Sequence, residues 1–373
     1  MQGGKIAALT SNLAEQIEKG YFGASGSRFL RARDLAATYS ISLESTCRIL
    51  DRLAEMHLIC LIGKHYYVTT GYASPDTPLG QYMKETRRPL FGLVSVNLDN
   101  PFYASLAQEL MLAVEAVGFG LLVAGNHGDP EVEMRVMDQL TELGISGIFA
   151  CRGGGRHRIT CPLPVVVLGS ETDLQDRDAV LVDNRAAGRQ AGEHLKQIGC
   201  NSFAYVGIRA LHQFDPRLEG FRDSLKSGDF SLTSERIFGV ERLENGKPNT
   251  DSLPGMLNEL LRSRKSDEKI GIFCYHDLLA AAVLKYIRHW RTSTGEHLRI
   301  PEDVAIVGFD DLPIAEALTP SLTTVSYRFD SIARKSVEVM MDCIRNPKHR
   351  CTSYRIPSSL IVRESTVRIT SNG

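Results

Sequence analysis

The residues best placed to do chemistry are two adjacent carboxylates, Asp310 and Asp311, which follow the apolar run 304–309. A short, continuous apolar run of this kind suits a strand covered by helices on both faces. In open parallel sheets ligands lie outside the carboxyl ends of the strands, and a carboxylate there accepts hydrogen bonds from paired hydroxyls without help from a metal. The same two residues equally fit a turn in which Asp caps the following helix. Adjacency along the chain points their side chains in different directions, which is poor geometry for a paired general acid and base. No nucleophile with a base and no metal constellation stands at a recognisable spacing, so the chain is not expected to be an enzyme, and no cofactor or metal is expected. Gly153-Gly154-Gly155 invites a phosphate-loop reading, but no Lys-Ser/Thr follows and no helix begins at the right place.

Composition narrows the setting. A chain of 373 residues suits two or three domains. Its formal net charge of -1 provides no chain-wide basic field, so any contact with nucleic acid must come from a local patch. The eight cysteines are scattered, without CxxC and without a His partner at metal spacing, which argues against a disulfide framework or a zinc site and fits a reducing cytoplasm. The first residues, MQGGKIAALTSNLAEQ, lack the apolar core of a signal peptide, and no run reaches membrane-spanning length. The expectation is a cytoplasmic protein with no membrane partner, not a secreted binding protein.

The elements that must position the carboxylates begin near residue 91, where apolar strands start to alternate with amphipathic helices. Strands are expected over 91–96, 119–124, 147–151, 165–168 and 180–182, with helices over 103–117, 131–143 and 187–198. A second group has strands at 203–207, 270–275 and 304–309, with helices beginning at Arg217 and Leu278. This is an α/β pattern of two doubly wound parallel sheets in tandem, with a cleft between them. Methionines and aromatics at 134–140 and 337–343 fall at core spacing, and His127, His157 and His212 fall in loops.

The N-terminal segment has another character. Ile6, Leu9, Leu13 and Ile17 recur at helical spacing until Gly20 and Gly23 intervene, and a second short helix spans 32–39. Ile41-Ser42 forms a turn in which Ser42 caps a third helix over 43–57. Thr46, Leu50, Leu53 and Ala54 lie on one side of that helix, with Glu44, Ser45, Arg48 and Arg52 on the other. Two strands, 58–61 and 66–68, flank a Gly63 tip. Residues 69–89 are rich in turn and polar residues and read as a linker, in which Lys84, Arg87 and Arg88 could touch phosphates.

Residues 20–68 resemble the winged helix DNA-binding domain of the GntR family. The matching residues are Gly26 before Leu30, Arg33-Asp34-Leu35-Ala36, Ile41-Ser42, Leu53, and Gly63-Lys64 leading to Val68. The resemblance implies a third helix lying in the major groove and phosphates held by Arg33 and Lys64. That family usually has Arg directly after the Ser or Thr opening the recognition helix, whereas this chain has Leu43 and then Glu44. Base reading is therefore expected from Ser45, Thr46 and Arg48. A helical module that binds protein through a solvated charged face is the alternative.

Residues 89 to about 367 resemble the effector domain of the LacI/GalR family, and with it the periplasmic sugar-binding-protein fold. The resemblance is carried by Asn100-Pro101-Phe102-Tyr103, Asp129-Pro130-Glu131, Val182-Asp183-Asn184, Arg217 with Gly220-Phe221, His276-Asp277 with Ala280, and Gly308-Phe309-Asp310-Asp311 ahead of LTPSLTTV. It implies ligand contacts from Tyr103, Arg217 and Asp310, and from His276, where the family usually has Asn or Ser. An aromatic face covers the apolar side of a sugar ring, and a guanidinium forks two hydroxyls or grips a carboxylate. Tyr103 as plain core, and Arg217 paired with Glu219 or Asp215, are the alternatives.

The combination resembles arabinose-type repressors, which join a GntR-like head to a LacI-like body. It implies a sequence-specific DNA-binding transcriptional regulator, a repressor, whose affinity for a double-stranded operator is controlled by a small-molecule effector, a sugar. It also implies a homodimer. The alternative function is a sugar sensor whose head binds protein in place of DNA. The expected domains are 1–70 for the head, 71–88 for the linker and 89–373 for the body. Within the body lobe 1 takes about 89–182 and 327–347, and lobe 2 about 183–326 and 348–367, with chain crossings near Val182-Asp183, Val325-Ser326 and Pro347.

Overall fold

The described residues of the N-terminal unit form three helices and a hairpin: α1 (Gln2–Glu18), α2 (Ala32–Tyr39), α3 (Leu43–Glu55), then antiparallel β1 (Ile59–Ile62) and β2 (His65–Val68). The computed structural model describes residues 2–56, 58–69, 89–96, 98–151, 159–169, 177–228, 230–241 and 248–368. The expected linker at 71–88 with its Lys84, Arg87 and Arg88 lies outside the described residues, as do Gly153-Gly154-Gly155 and His157. Leu13 and Ile17, Leu35, Ile49, Leu50 and Leu53, and Ile59 and Val68 close one apolar core, each helix burying a single stripe. The Ser42 hydroxyl caps α3 by accepting from the Ser45 N–H at 3.2 Å, a bond worth about 1 kcal/mol. Gly63, at φ +62°, turns the hairpin and leaves Lys64 exposed at its tip.

The second compact unit runs from Pro89 to Gly373. Its strands are β3 (Leu90–Ser95), β4 (Gly120–Gly125), β5 (Ile148–Cys151), β6 (Val165–Leu168), β7 (Asp178–Val182), β8 (Ser202–Ile208), β9 (Ile237–Val240), β10 (Ile270–Cys274), β11 (Val304–Asp310), β12 (Thr323–Ser326), β13 (Ser353–Ile356) and β14 (Ser359–Ile361). Its helices are α4 (Pro101–Ala116), α5 (Pro130–Glu142), α6 (Asn184–Gln197), α7 (Pro216–Lys226), α8 (Leu253–Arg262), α9 (Asp277–His289), α10 (Pro313–Ala317) and α11 (Phe329–Arg345). One sheet has the order β13-β7-β6-β5-β3-β4, and the other β14-β12-β11-β10-β8-β9. Within these two sheets, among the described residues, only the pairing of β14 with β12 is antiparallel. Strands β5, β6, β7, β10 and β11 are buried at every residue, which explains their unbroken apolar runs. Strand β13 alternates exposed and half-buried residues over just four positions and β14 has three half-buried residues, so both edges are too short to be read as strands from the sequence.

The chain passes between the sheets after Val182, after Ser326 and between Ile356 and Ser359. The third passage corrects the expected crossing at Pro347 and the assignment of everything from 348 onward to lobe 2. Ser353–Ile356 pairs in parallel with Ala179, Val180, Leu181 and Val182, so the ladder holds this stretch on the first sheet until Pro357 releases it.

Helices α6 and α7 pack at backbone distance because glycine occupies the contact. A Cβ on Gly188 would stand 2.0 Å from the Arg217 carbonyl oxygen, and one on Gly220 would stand 1.9 Å from that of Arg185. Neither neighbour is a flexible side chain, so the helices themselves must separate. Overpacking of this kind costs roughly 1–3 kcal/mol, and Gly220→Ala is expected to lower the melting temperature by roughly 3–10 °C. An unchanged thermal melt would show that these helices part without cost.

Candidate functional site

A repeated local device carries side chains to the carboxyl edges of the sheets. Asn100-Pro101, Asp129-Pro130 and Asp215-Pro216 each place an Asx cap before a proline in the first helical turn. The proline presets φ and gives up an N–H that would lack a helical partner, while the Asx oxygen accepts N–H groups of the first turn. Thus Asn100 Oδ1 accepts from the Phe102 N–H at 3.0 Å, and Asp215 Oδ1 accepts from the Arg217 N–H at 3.0 Å. Tyr103 and Arg217 consequently sit in first turns, directly beyond the ends of β3 and the β8 segment.

Arg217 is the most constrained of these side chains. It is only 8 % exposed, its Nε donates to Asn184 Oδ1 at 2.8 Å, and one terminal nitrogen donates to the Tyr275 carbonyl oxygen. Its guanidinium carbon lies 3.4 Å from the centroid of the Phe309 ring and 4.4 Å from that of Tyr275. The side chain therefore does not pair with Glu219, and Asp215 is engaged in capping α7 and in accepting from the Tyr205 hydroxyl.

Asp310 ends β11 with φ +105°, a conformation L-residues rarely adopt and one that costs of order 1–3 kcal/mol. It is 4 % exposed, and its Oδ1 has no hydrogen-bond partner among the described residues. Burial pushes its carboxyl well above the usual carboxylate range, Arg217 draws it back, and Asp277 adds to the rise. Asp311, at φ +59°, turns the other way: its Oδ1 accepts from Arg363 at 2.9 Å. The two carboxylates thus divide into one facing the buried guanidinium and one pinning the chain near its C-terminal strand.

The first lobe and the second crossing supply the opposite wall. Phe102 meets Tyr103, Tyr327 and Phe329 edge-on, with centroids 5.1, 4.7 and 5.3 Å apart. Tyr327, immediately past β12, is buried, and its hydroxyl likewise has no hydrogen-bond partner among the described residues. Burial pushes that phenol well above its ordinary value, with smaller effects from Cys151, Arg217, Asp310 and Tyr103, so groups from both lobes converge on it. Tyr103 itself is half-buried, in contact with the aromatic cluster but not sealed within the core.

His276 is the N-cap of α9. Its Nδ1 accepts from the Leu279 N–H at 3.1 Å, so the acceptor it could have offered a ligand is spent and any contact goes through Nε2. Behind it, Asp277 receives the Thr324 hydroxyl at 2.6 Å and the Leu312 N–H at 2.8 Å. Burial pushes Asp277 up to about 7, against the pull of those two bonds. A Cβ on Gly308 would stand 2.2 Å from Asp277 Oδ1, which is why glycine precedes Phe309 there.

In the head, Arg33 and Lys64 are exposed, as are Arg28 and Arg31. Arg28, Arg31 and Lys64 surround His65 closely enough to add to the effect of its burial in lowering its pKa. Arg48 is exposed and engaged with Glu44 one turn earlier at 2.7 Å, and Ser45 is half-buried beside the Ser42 cap. Thr46 is a correction. It is fully buried and donates to the Ser42 carbonyl at 3.0 Å, so it cannot read a base. Three residues before Ile49 and four before Leu50, it falls on the apolar stripe.

Asn184, Tyr275, Phe309 and Tyr327 complete the site without having been singled out. Asn184 belonged to a quoted motif, and Tyr275 directly precedes His276, but Tyr327 left no signal beyond its position after β12.

Residues 193–366 match the model of the periplasmic binding protein-like domain. An HTH-type transcriptional regulator, DegA of Bacillus subtilis, is 25 % identical over 290 residues, covering 75 % of this chain and 81 % of that one. The ribose operon repressor of Halalkalibacterium halodurans is 24 % identical over 346 residues, covering 90 % and 96 %. Among solved structures, a periplasmic binding protein/LacI transcriptional regulator from Alkaliphilus metalliredigens complexed with D-xylulofuranose has TM-score 0.61 at 24 % identity, covering 75 % of this chain and 99 % of that one. The CelR–cellobiose complex has TM-score 0.60 at 21 %, covering 90 % and 100 %. The body thus has the periplasmic-binding-protein-like fold. The chain is similar over most of its length to transcriptional regulators and repressors whose solved relatives include LacI-type proteins.

Proposed function

We propose that this chain is a LacI-type transcriptional regulator that binds an operator through a winged helix head of the GntR kind and binds a small neutral sugar between the lobes of its body, acting as a homodimeric repressor in the cytoplasm. The observation that carries the reading is Asp310: a buried carboxylate whose Oδ1 has no hydrogen-bond partner among the described residues, near a guanidinium fixed by Asn184 and Tyr275. Sugar hydroxyls supply the donors that such an acceptor requires, and the half-buried ring of Tyr103 offers an apolar face. The sugar-bound state of two structural relatives supports the same ligand class. The proposed contacts are Tyr103, Arg217 and Asp310, with His276 through Nε2. Domain limits of 1–70, 71–88 and 89–373 follow the change from helical head to α/β body. Titration of full-length protein with pentoses, hexoses and disaccharides, alongside gel shifts on DNA from its own promoter, tests the reading. Absence of both binding events would remove it.

For the head, Arg33 and Lys64 are proposed to hold phosphates, with Ser45 and Arg48 facing bases. The outward side of α3 carries Glu44, Asp51 and Glu55 beside Arg48 and Arg52, so the basic residues at the start of α2 and on the hairpin supply most of the positive charge. Replacing Arg33 or Lys64 by Ala is expected to weaken operator and random DNA alike, and to reduce the slope of log affinity against log salt by about 1. Anisotropy titrations over a salt series measure both. A loss confined to one DNA sequence would make the residue a base reader.

A further inference from the structure

We propose that Asp178, Cys343 and His349 form a binding site for a thiophilic divalent cation, zinc in the first instance, on the first lobe and apart from the sugar cleft. Their ligand atoms all lie within 4.8 Å of one another. Cys343 Sγ is 3.4 Å from Asp178 Oδ2 and 3.8 Å from His349 Nε2, while Nε2 is 2.7 Å from Oδ2. In a tetrahedral zinc site with ordinary bond lengths, sulfur-to-ligand edges are about 3.5 Å and the nitrogen-to-oxygen edge about 3.3 Å. Two edges of the face therefore stand near their required lengths. The third opens by roughly half an ångström when the metal enters.

The surrounding bonds are those that orient metal ligands. His349 Nδ1 faces the Asn346 carbonyl at 2.8 Å, which makes it the protonated nitrogen and aims Nε2 at Asp178. Two lone pairs cannot meet at 2.7 Å, so a proton or a metal must stand between Nε2 and Oδ2. The other oxygen of Asp178 accepts from the Thr352 N–H at 3.0 Å, fixing the carboxylate plane. A plain His–Asp pair would satisfy these bonds with a proton, but it gives no reason for a thiol directed at the same point. Zinc entry displaces that proton and the Cys343 thiol proton, leaving a thiolate, a neutral imidazole and a carboxylate on the metal. Cys351, exposed and within electrostatic reach of Cys343, brings a further thiol to this stretch. The group joins the start of β7 to the segment leading into β13, the last strand before the third crossing.

The test uses tag-free, reduced full-length protein freed of metal with a chelator, in a Cys47→Ser, Cys60→Ser background that removes the head's thiols. Zinc is titrated calorimetrically, and cobalt(II) by absorption. One zinc per chain is expected, bound at least about tenfold more weakly in His349→Gln and in Cys343→Ser. Cobalt is expected to give a thiolate charge-transfer band that vanishes in Cys343→Ser. His349 is the most exposed of the three, so its variant keeps the comparison valid should the Cys343 substitution disturb folding. No zinc binding, or binding of zinc unchanged in His349→Gln, or cobalt binding without a thiolate band, would overturn the site.

Discussion

Replacing Asp310 by Asn is expected to lower sugar affinity at least about tenfold and to leave the fold intact. A hydrogen bond to a charged acceptor is worth about 1.5–3 kcal/mol, and each 1.4 kcal/mol is a factor of ten. Asn keeps the size of the side chain but removes its charge and one of its two acceptor oxygens. The sign of the effect on stability follows from burial. The folded carboxyl titrates above its unfolded value, so its ionisation costs stability as pH rises past the unfolded pKa, and the neutral amide avoids that cost. Melting temperature near neutral pH should therefore hold or rise while affinity falls. Calorimetry with the sugar and a thermal melt separate the two effects. Unchanged affinity would move the ligand away from Asp310, and a collapsed melt would make the residue structural.

The second large effect joins the sugar to the DNA. Three strand-end passages confine the two lobes to opening and closing about one axis, and a ligand gripped by Arg217 and Asp310 on one side and Tyr103 on the other favours the closed arrangement. Saturating sugar is expected to change operator affinity by about 5- to 150-fold, a coupling of roughly 1–3 kcal/mol. Reciprocity requires operator DNA to change sugar affinity by the same factor. Sugar titrations of full-length protein with and without operator measure it directly. Equal affinities in the two titrations would mean that sensing and DNA binding are uncoupled.

Much of this molecule was written in local sequence. Unbroken apolar runs such as 304–309 announced buried parallel strands, because a strand covered on both faces favours apolar side chains on both. The Asx-Pro pairs announced helix starts, because a cap oxygen and a residue without an N–H are the local requirements of a helix N-terminus. The carboxylate at 310 was visible as a residue, and its chemistry was inferable, whereas the close helix contact at Gly188 and Gly220 was not.

The tertiary structure decided which of those chemistries could be used. Only packing showed that His276 spends Nδ1 on its own helix, and that Asp310 and Asp311 turn to different surroundings. Each outcome turns on neighbours in space or on a φ angle set by the surrounding fold, and spacing along the chain carries neither. The edge strand Ser353–Ile356 is the plainest case: its four alternating residues are too few to announce a strand, and the ladder with Ala179–Val182 fixes where the third crossing falls. The same ladder brings Asp178 to Cys343 and His349 across a separation in sequence of 165 and 171 residues. No reading of cysteine spacing finds such a cluster, because a metal-ligating geometry is a property of distances between side chains, and those are set only when the sheet closes.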